Sequence, residues 1–341
     1  MNNKRDWNSL EDRQKALGFS GSIYVRCEAE ILFSEAFGCA DISGKIMNHQ
    51  KTRFSIASGS KIFTAAAICM LIDEGKFNFD SRLVDCLDIE FPYFDEEITL
   101  HHLLTHTSGV PDYFDEDVMD DYEALWEERP MYRMRSPKDF LPMFQYEQMD
   151  DVPGSALKYN NAGYIILGLV IEQTSGMAFA DYIEQNIFKK AGMFASGYFS
   201  ADVLPANTAA GYIENTDGSW KSNIFSLPAK GGPDCGAYVT AEDFGLLWQA
   251  LRDGKILSEE MKQEFLKPQM SAAEDIQYGY AGYMETAGKT VVKYIQMGYD
   301  PGVNFRAVHY PNQDYTIVVC SNKSDDAYEM LKEAESLILD E

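Results

Sequence analysis

The chain has 341 residues, 45% of them hydrophobic, which suffices for a full core and for two domains or one large two-lobed domain. Its formal net charge of -25 argues against nucleic acid as a partner, because phosphates would be repelled. No apolar stretch approaches the ~18 residues of a membrane span, and Met1-Asn2-Asn3-Lys4-Arg5-Asp6-Trp7 opens a polar amphipathic segment with no apolar h-region or cleavage site, so the expectation is a cytoplasmic protein with no membrane partner.

In chain order, residues 7–17 read as a helix. Gly21–Cys27 and Ile31–Gly38 read as two strands joined by a tight turn, a hairpin. Lys61 to Gly75 is an apolar helix closed by a glycine cap signal. Residues 76–225 are mostly helical and loop-rich, with helices expected at 99–105, 120–128, 137–147, 161–175 and 179–190. Thr240 to Leu251 opens with Thr-x-x-Asp, a helix-start signal. Strands return at Gly279–Met284, Val291–Met297, Asn304–Tyr310 and Tyr315–Ser321, and a helix closes the chain from Ala327 to Leu339. Strands at both ends with helices between them predict an α+β fold, an α/β sandwich. One antiparallel sheet would be built from both chain ends and flanked by helices. A sheet-bearing lobe of 1–75 and 226–341 would carry an inserted helical lobe of 76–225, with the active site between them. The six cysteines are widely spaced, with no C-x-x-C, and read as reduced core thiols.

The chemistry begins at Phe54-Ser55-Ile56-Ala57-Ser58-Gly59-Ser60-Lys61, a small-residue turn running straight into the apolar helix. Ser58 and Lys61 are three apart, which is one face of one helical turn. Lys61 can therefore reach Ser58 Oγ. A serine hydroxyl becomes a nucleophile when a base lies within hydrogen-bond reach, and an amine serves when burial and a neighbouring cation lower its pKa. The pattern points to acyl transfer through an acyl-serine. Roughly one Ser-x-x-Lys is expected by chance in such a chain. A second, Ser155 to Lys158, follows Pro153-Gly154 in a turn and reads as structural.

Tyr159-Asn160-Asn161-Ala162-Gly163-Tyr164 precedes a further apolar helix. Tyr159 and Asn161 are two apart and share a side of an extended stretch. A phenol beside a lysine ammonium has its pKa lowered and can relay protons. The same spelling at Tyr310-Pro311-Asn312 lies in a strand turn.

With these segments in order, the chain resembles the serine β-lactamase and penicillin-binding-protein superfamily, in the branch of class C β-lactamases, DD-peptidases and related esterases, over about residues 15–325. The Ser58–Lys61 segment is similar to that family's nucleophile motif. Leu103-Leu104-Thr105-His106-Thr107-Ser108-Gly109-Val110-Pro111 is similar to its structural signature, and the Tyr159–Asn161 segment to its Tyr-x-Asn motif. Gly236-Ala237-Tyr238-Val239-Thr240-Ala241-Glu242-Asp243 is similar to its Gly-x-x-x-Thr-Ala-x-Asp segment. The resemblance implies Ser58 as nucleophile, Lys61 and Tyr159 as the acid/base pair, and Asn161 on the substrate amide. It implies an oxyanion hole of the Ser58 and Tyr299 backbone N–H groups. The third motif departs: where the family has Lys-Thr-Gly or His-x-Gly, this chain has Gln296-Met297-Gly298-Tyr299, so a neutral amide stands where relatives meet a substrate carboxylate.

Lys293, three residues away, faces the other side of that strand. His102 and His106 suit a metal on a helix face by spacing but lack a third ligand, so no metal and no cofactor is expected. Gly282 to Gly288-Lys289-Thr290 nearly spells a P-loop but lies in a hairpin, and no G-x-S-x-G is present. Some of the four aromatics of 112–150, Tyr113, Tyr122, Trp126 and Tyr132, are expected to wall the pocket. The expected partner is a small-molecule ester, amide or β-lactam. The leading reading is an esterase or amidase working through acyl-Ser58. The alternatives are a true β-lactamase or DD-peptidase, and a weakened binding or sensor protein. The oligomeric state is left open.

Overall fold

The computed structural model describes residues 7–116, 118, 119 and 121–339. The polar opening over 1–6, both outer ends of the two-lobe division (1–6 and 340–341), and Asp120 within the expected helix at 120–128 lie outside them.

Eight strands form one antiparallel sheet: β1 (Gly21–Cys27), β2 (Glu30–Phe37), β3 (Met270–Ser271), β4 (Ile276–Gly279), β5 (Gly282–Ala287), β6 (Thr290–Asp300), β7 (Val303–Tyr310) and β8 (Tyr315–Ser321), in the order β2-β1-β8-β7-β6-β5-β4-β3. The ends of the chain meet in it, Gly21 opposite Ser321 and Cys27 opposite Tyr315. Side chains alternate across a strand, so the run Ile317-Val318-Val319-Cys320 serves two cores. Ile317 and Val319 pack with the helices Asn8–Leu17 and Ala327–Leu339, while Val318 and Cys320 enter the main core. A sheet buried on both faces explains why its strands read as continuous apolar runs.

Two helices of the main core matter for the site. Lys61–Asp73 and Ala162–Ser175 pack against each other and are buried over almost their whole length. Where they are closest to the loop at 233, Gly168 leaves no room for a Cβ, which would sit 2.0 Å from Pro233 Cγ. The described residues of 76–225 contribute no strand to the eight-stranded sheet.

Several expectations shift. The strand expected over 279–284 is a hairpin turn at Tyr280-Ala281, with Gly279 paired to Gly282. Gly279 has the Lys267 carbonyl 2.5 Å from where a Cβ would be, so the pair of glycines marks a close approach and a turn. The helix expected at 120–128 is one 3₁₀ turn, Ala124–Trp126, and that at 137–147 is a 3₁₀ stretch, Pro137–Met143, which contains Pro142. The helix at 179–190 widens into a π turn over Glu184–Phe188. Short two-stranded pairs were not foreseen, among them Phe54–Ser55 with Tyr238–Val239. All six cysteines are free, but only Cys69, Cys86 and Cys320 are buried. Among the described residues no single helix is long and apolar enough to cross a membrane.

Candidate active site

The turn carrying Ser58 is held from behind. After Phe54–Ser55 the chain turns through Ala57 at φ 45°, a left-handed conformation that non-glycine residues adopt at a cost. Its carbonyl accepts from Ser60 Oγ at 2.7 Å and from Gly236 N at 3.2 Å. Ser60 Oγ in turn accepts from Ala237 N at 2.9 Å, and Ile56 N donates to the Ala237 carbonyl at 3.0 Å. Ala57, Gly59 and Ser60 are buried, while Ser58 is part-exposed on the cavity wall.

Lys61, the first residue of the buried helix, is 5% exposed. Its Nζ lies 3.2 Å from Ser58 Oγ, 2.8 Å from Asn161 Oδ1 and 2.9 Å from the Asp234 carbonyl. Three ammonium protons thus meet three acceptors, which fixes the group in place. The ammonium also lies over the Tyr159 ring, 4.8 Å from its centroid. Burial pushes the Tyr159 hydroxyl well above its ordinary pKa, against the expectation of a lowered value, because loss of water outweighs the opposing effect of the Ser58 hydroxyl. The resting phenol is protonated.

His106 holds Tyr159 and Asn161 in place. It adopts φ 57° directly after the helix Leu100–Leu104. Its carbonyl accepts from Lys158 N at 2.9 Å and its Nδ1 from Asn160 N at 3.1 Å. Nδ1 being the acceptor, the ring proton sits on Nε2 and is donated to Tyr278 Oη at 2.9 Å. Burial and the Lys61 charge lower its pKa well below the usual value, so the ring is neutral. It packs against Tyr159 with centroids 4.6 Å apart. Asp112 completes the support. Its carboxylate accepts from Asn161 N at 2.8 Å and Ala162 N at 2.9 Å, at the N-terminus of the second helix, and burial raises it to about 7. Neither role was read from sequence; the signal for His106 was its place in the Leu-Thr-His-Thr-Ser-Gly segment.

Strand β6 supplies the facing wall. A cavity of about 240 Å³ is lined by Ser58, Lys61, Tyr159, Gln296, Gly298 and Tyr299, among others. Gln296 is buried, donates from Nε2 to the Ala281 carbonyl at 2.8 Å, and leaves Oε1 without a partner among the described residues. Lys293 turns away and pairs with Glu335 at 2.9 Å and Glu285 at 3.2 Å. Tyr113, Tyr122 and Trp126 line a second, smaller pocket that reaches Ser58 and Asn161, whereas Tyr132 is exposed and lines neither.

The remaining sequence candidates lie elsewhere. Ser155 is exposed in a turn, and Lys158 pairs with Asp115 at 2.8 Å and Asp150 at 3.3 Å. Tyr310 donates to Glu335 at 2.5 Å on the other face of the sheet. His102 closes a capping box with Thr99. Thr240 caps the helix Ala241–Arg252, its Oγ1 accepting from Asp243 N, while the Asp243 carboxylate accepts from Ala195 N and Ser196 Oγ.

Residues 10–339 match the family model described as Beta-lactamase. Penicillin-binding protein 4* of Bacillus subtilis (strain 168) is 28% identical over 338 residues, which cover 94% of this chain and 72% of that protein. The crystal structure of a penicillin binding protein from Bacillus halodurans superposes with a TM-score of 0.93 at 48% identity, covering 96% of this chain and 99% of that one. EstCE1, a hydrolase with promiscuous acyltransferase activity, shares the fold at a TM-score of 0.80 and 18% identity, covering 97% and 98%.

Proposed function

The chain belongs to the Beta-lactamase family, a family of serine hydrolases, and we propose that it hydrolyses a small ester or amide through an acyl-Ser58 intermediate. One observation carries this reading: Lys61 Nζ lies 3.2 Å from Ser58 Oγ and 4.8 Å from the Tyr159 ring centroid, all three residues lining one cavity of about 240 Å³. In acylation Ser58 Oγ bonds to the substrate carbonyl carbon. Its proton passes to the Lys61–Tyr159 pair, which returns a proton to the departing alcohol or amine as the carbonyl–leaving-group bond breaks. Water then repeats the step on the acyl-serine and frees the acid. The backbone N–H groups of Ser58 and Tyr299 serve as donors for the oxyanion, a role that does not depend on side chain. Asn161, pinned by Lys61 and Asp112, orients the acyl amide. The site sits between the sheet-bearing segments and the inserted 76–225.

The names of the relatives favour a second reading, covalent binding of penicillin. Intact mass after incubation with a fluorophosphonate and with a penicillin tests both. The first reading expects a fluorophosphonate adduct on wild type, none on Ser58→Ala, and an unchanged adduct on Ser155→Ala. Labelling of Ser58→Ala at the wild-type rate would place the nucleophile elsewhere.

A further inference from the structure

The smaller pocket beside Ser58 is lined by three acidic residues, Asp234, Asp300 and Glu116, and, among the described residues, by no lysine, arginine or histidine. Two of them are buried, Asp234 at 1% and Asp300 at 8% exposure. Tyr113 donates its hydroxyl to Asp234 Oδ2, and Oδ1 has no hydrogen-bond partner among the described residues. Lys61 is the cation in reach, but its protons go to Ser58, Asn161 and the Asp234 backbone carbonyl, none to a carboxylate. A buried carboxylate without a counter-charge is expensive, and folded chains keep one where a ligand repays the cost. Burial, then the neighbouring Asp234, push the Asp300 carboxyl up to about 8, against the smaller opposing pull of the Lys61 charge.

We propose that this pocket binds a primary ammonium group carried by the acyl half of the substrate. The proposal rests on the acyl-Ser58 reading and narrows its substrate class. The pocket holds about 30 Å³, the room of one water-sized group, which suits an ammonium and excludes a guanidinium or an aromatic ring. Asn161 lines it as well, which places it on the side assigned to the acyl amide. On binding, Asp300 gives up the proton that burial lets it hold and accepts an ammonium proton in a charge-assisted hydrogen bond, with the buried Asp234 beside it and the exposed Glu116 as a third acid. The net charge of -25 draws such a substrate in rather than repelling it.

The test compares the phenyl esters of D-alanine, L-alanine and propionate at pH 6, where the amine is protonated, each rate being taken relative to uncatalysed hydrolysis. Wild type is expected to favour at least one alanine ester over propionate by about 10-fold or more in kcat/KM, the worth of a charge-assisted hydrogen bond. Asp300→Asn and Asp234→Asn should bring that ratio to within about 3-fold of unity. Equal slowing of all three esters in both variants would instead mean that the acids only hold Lys61, and would overturn the proposal. So would a wild type with no preference, or a preference that survives both changes. Should neither variant fold, ethylammonium against the wild-type hydrolysis of the propionate ester decides. Competitive inhibition beyond that of equal sodium chloride supports the site, and none overturns it. Turnover that persists in Ser58→Ala sinks the acyl-serine reading itself, a separate outcome.

Discussion

A Cβ on Gly298 would lie 2.1 Å from the carbonyl oxygen of Ile56 and 2.9 Å from Gly59 N. Strand β6 and the turn that presents Ser58 therefore touch backbone to backbone. The glycine is required by that approach and not by an unusual φ, since its strand conformation suits any residue. The distance between Ser58, the proposed nucleophile, and the proposed Tyr299 oxyanion donor is set at this contact.

Gly298→Ala should push the strand from the turn. Overpacking of this kind costs about 1–3 kcal/mol, seen as a lowered Tm. A displacement near 1 Å should lower kcat/KM by about 100-fold or more. A variant with wild-type kinetics would show that β6 does not position the reacting groups.

Tyr159→Phe isolates the phenol proton. The ring that meets Lys61 at 4.8 Å and His106 at 4.6 Å is kept, and only the hydroxyl is lost. Acylation by a fluorophosphonate should slow by about 10²–10⁴, the usual worth of a positioned acid/base, with Tm little changed. Lys61→Ala should slow it comparably and also lower Tm, because Asn161 Oδ1 and the Asp234 carbonyl lose a buried donor. Labelling of Tyr159→Phe at the wild-type rate would remove the tyrosine from the mechanism.

Asp300 predicts a pH dependence of stability. Its carboxyl titrates at about 8 when folded against an ordinary 3.8. The folded state thus holds its proton more tightly than the unfolded chain does. The associated stability is complete below pH 4, declines as pH rises, and is gone above 8. Asp112, raised to about 7, acts in the same direction. Asp300→Asn should flatten the fall of Tm between pH 5 and pH 8 and make the protein more stable than wild type at pH 8. Parallel Tm profiles for the two proteins would contradict this.

What the sequence disclosed follows the range of the interactions. Ser58 and Lys61 are one helical turn apart, so their meeting is local and legible in the spacing. Asn161 stands 100 residues from Lys61, and its 2.8 Å contact was reachable only through the family resemblance. His106 read as a residue of a structural signature. That it clamps Lys158 and Asn160 depends on a left-handed turn and on a loop fifty residues away, neither of which has a sequence period. The Tyr280-Ala281 turn was missed because apolar residues continue through it, although Gly279 and Gly282 flank it. Asp234 and Asp300 carried no motif at all; only the fold brings them to one pocket.

The third motif predicts a preference about substrate charge. By the family resemblance Gln296 stands at the place of a cation; its Nε2 is engaged by the Ala281 carbonyl, so it presents an acceptor, Oε1, there instead of a positive donor. Penicillins and peptides ending in a carboxylate need that donor; short-chain esters do not. A missing charge-assisted hydrogen bond costs about 1.5–3 kcal/mol, or about 10–150-fold in specificity. Short-chain p-nitrophenyl esters should therefore exceed nitrocefin in kcat/KM, and Gln296→Lys should move the ratio toward nitrocefin by that factor. The alternative cation on the cavity wall is Arg306, whose guanidinium lies 3.0 Å from Met297 Sδ and 5.5 Å from the Tyr328 ring centroid, with its pKa lowered by burial. A wild type that hydrolyses nitrocefin faster than the esters would refute the argument from Gln296. Loss of that activity in Arg306→Ala would then assign the carboxylate to the neighbouring strand.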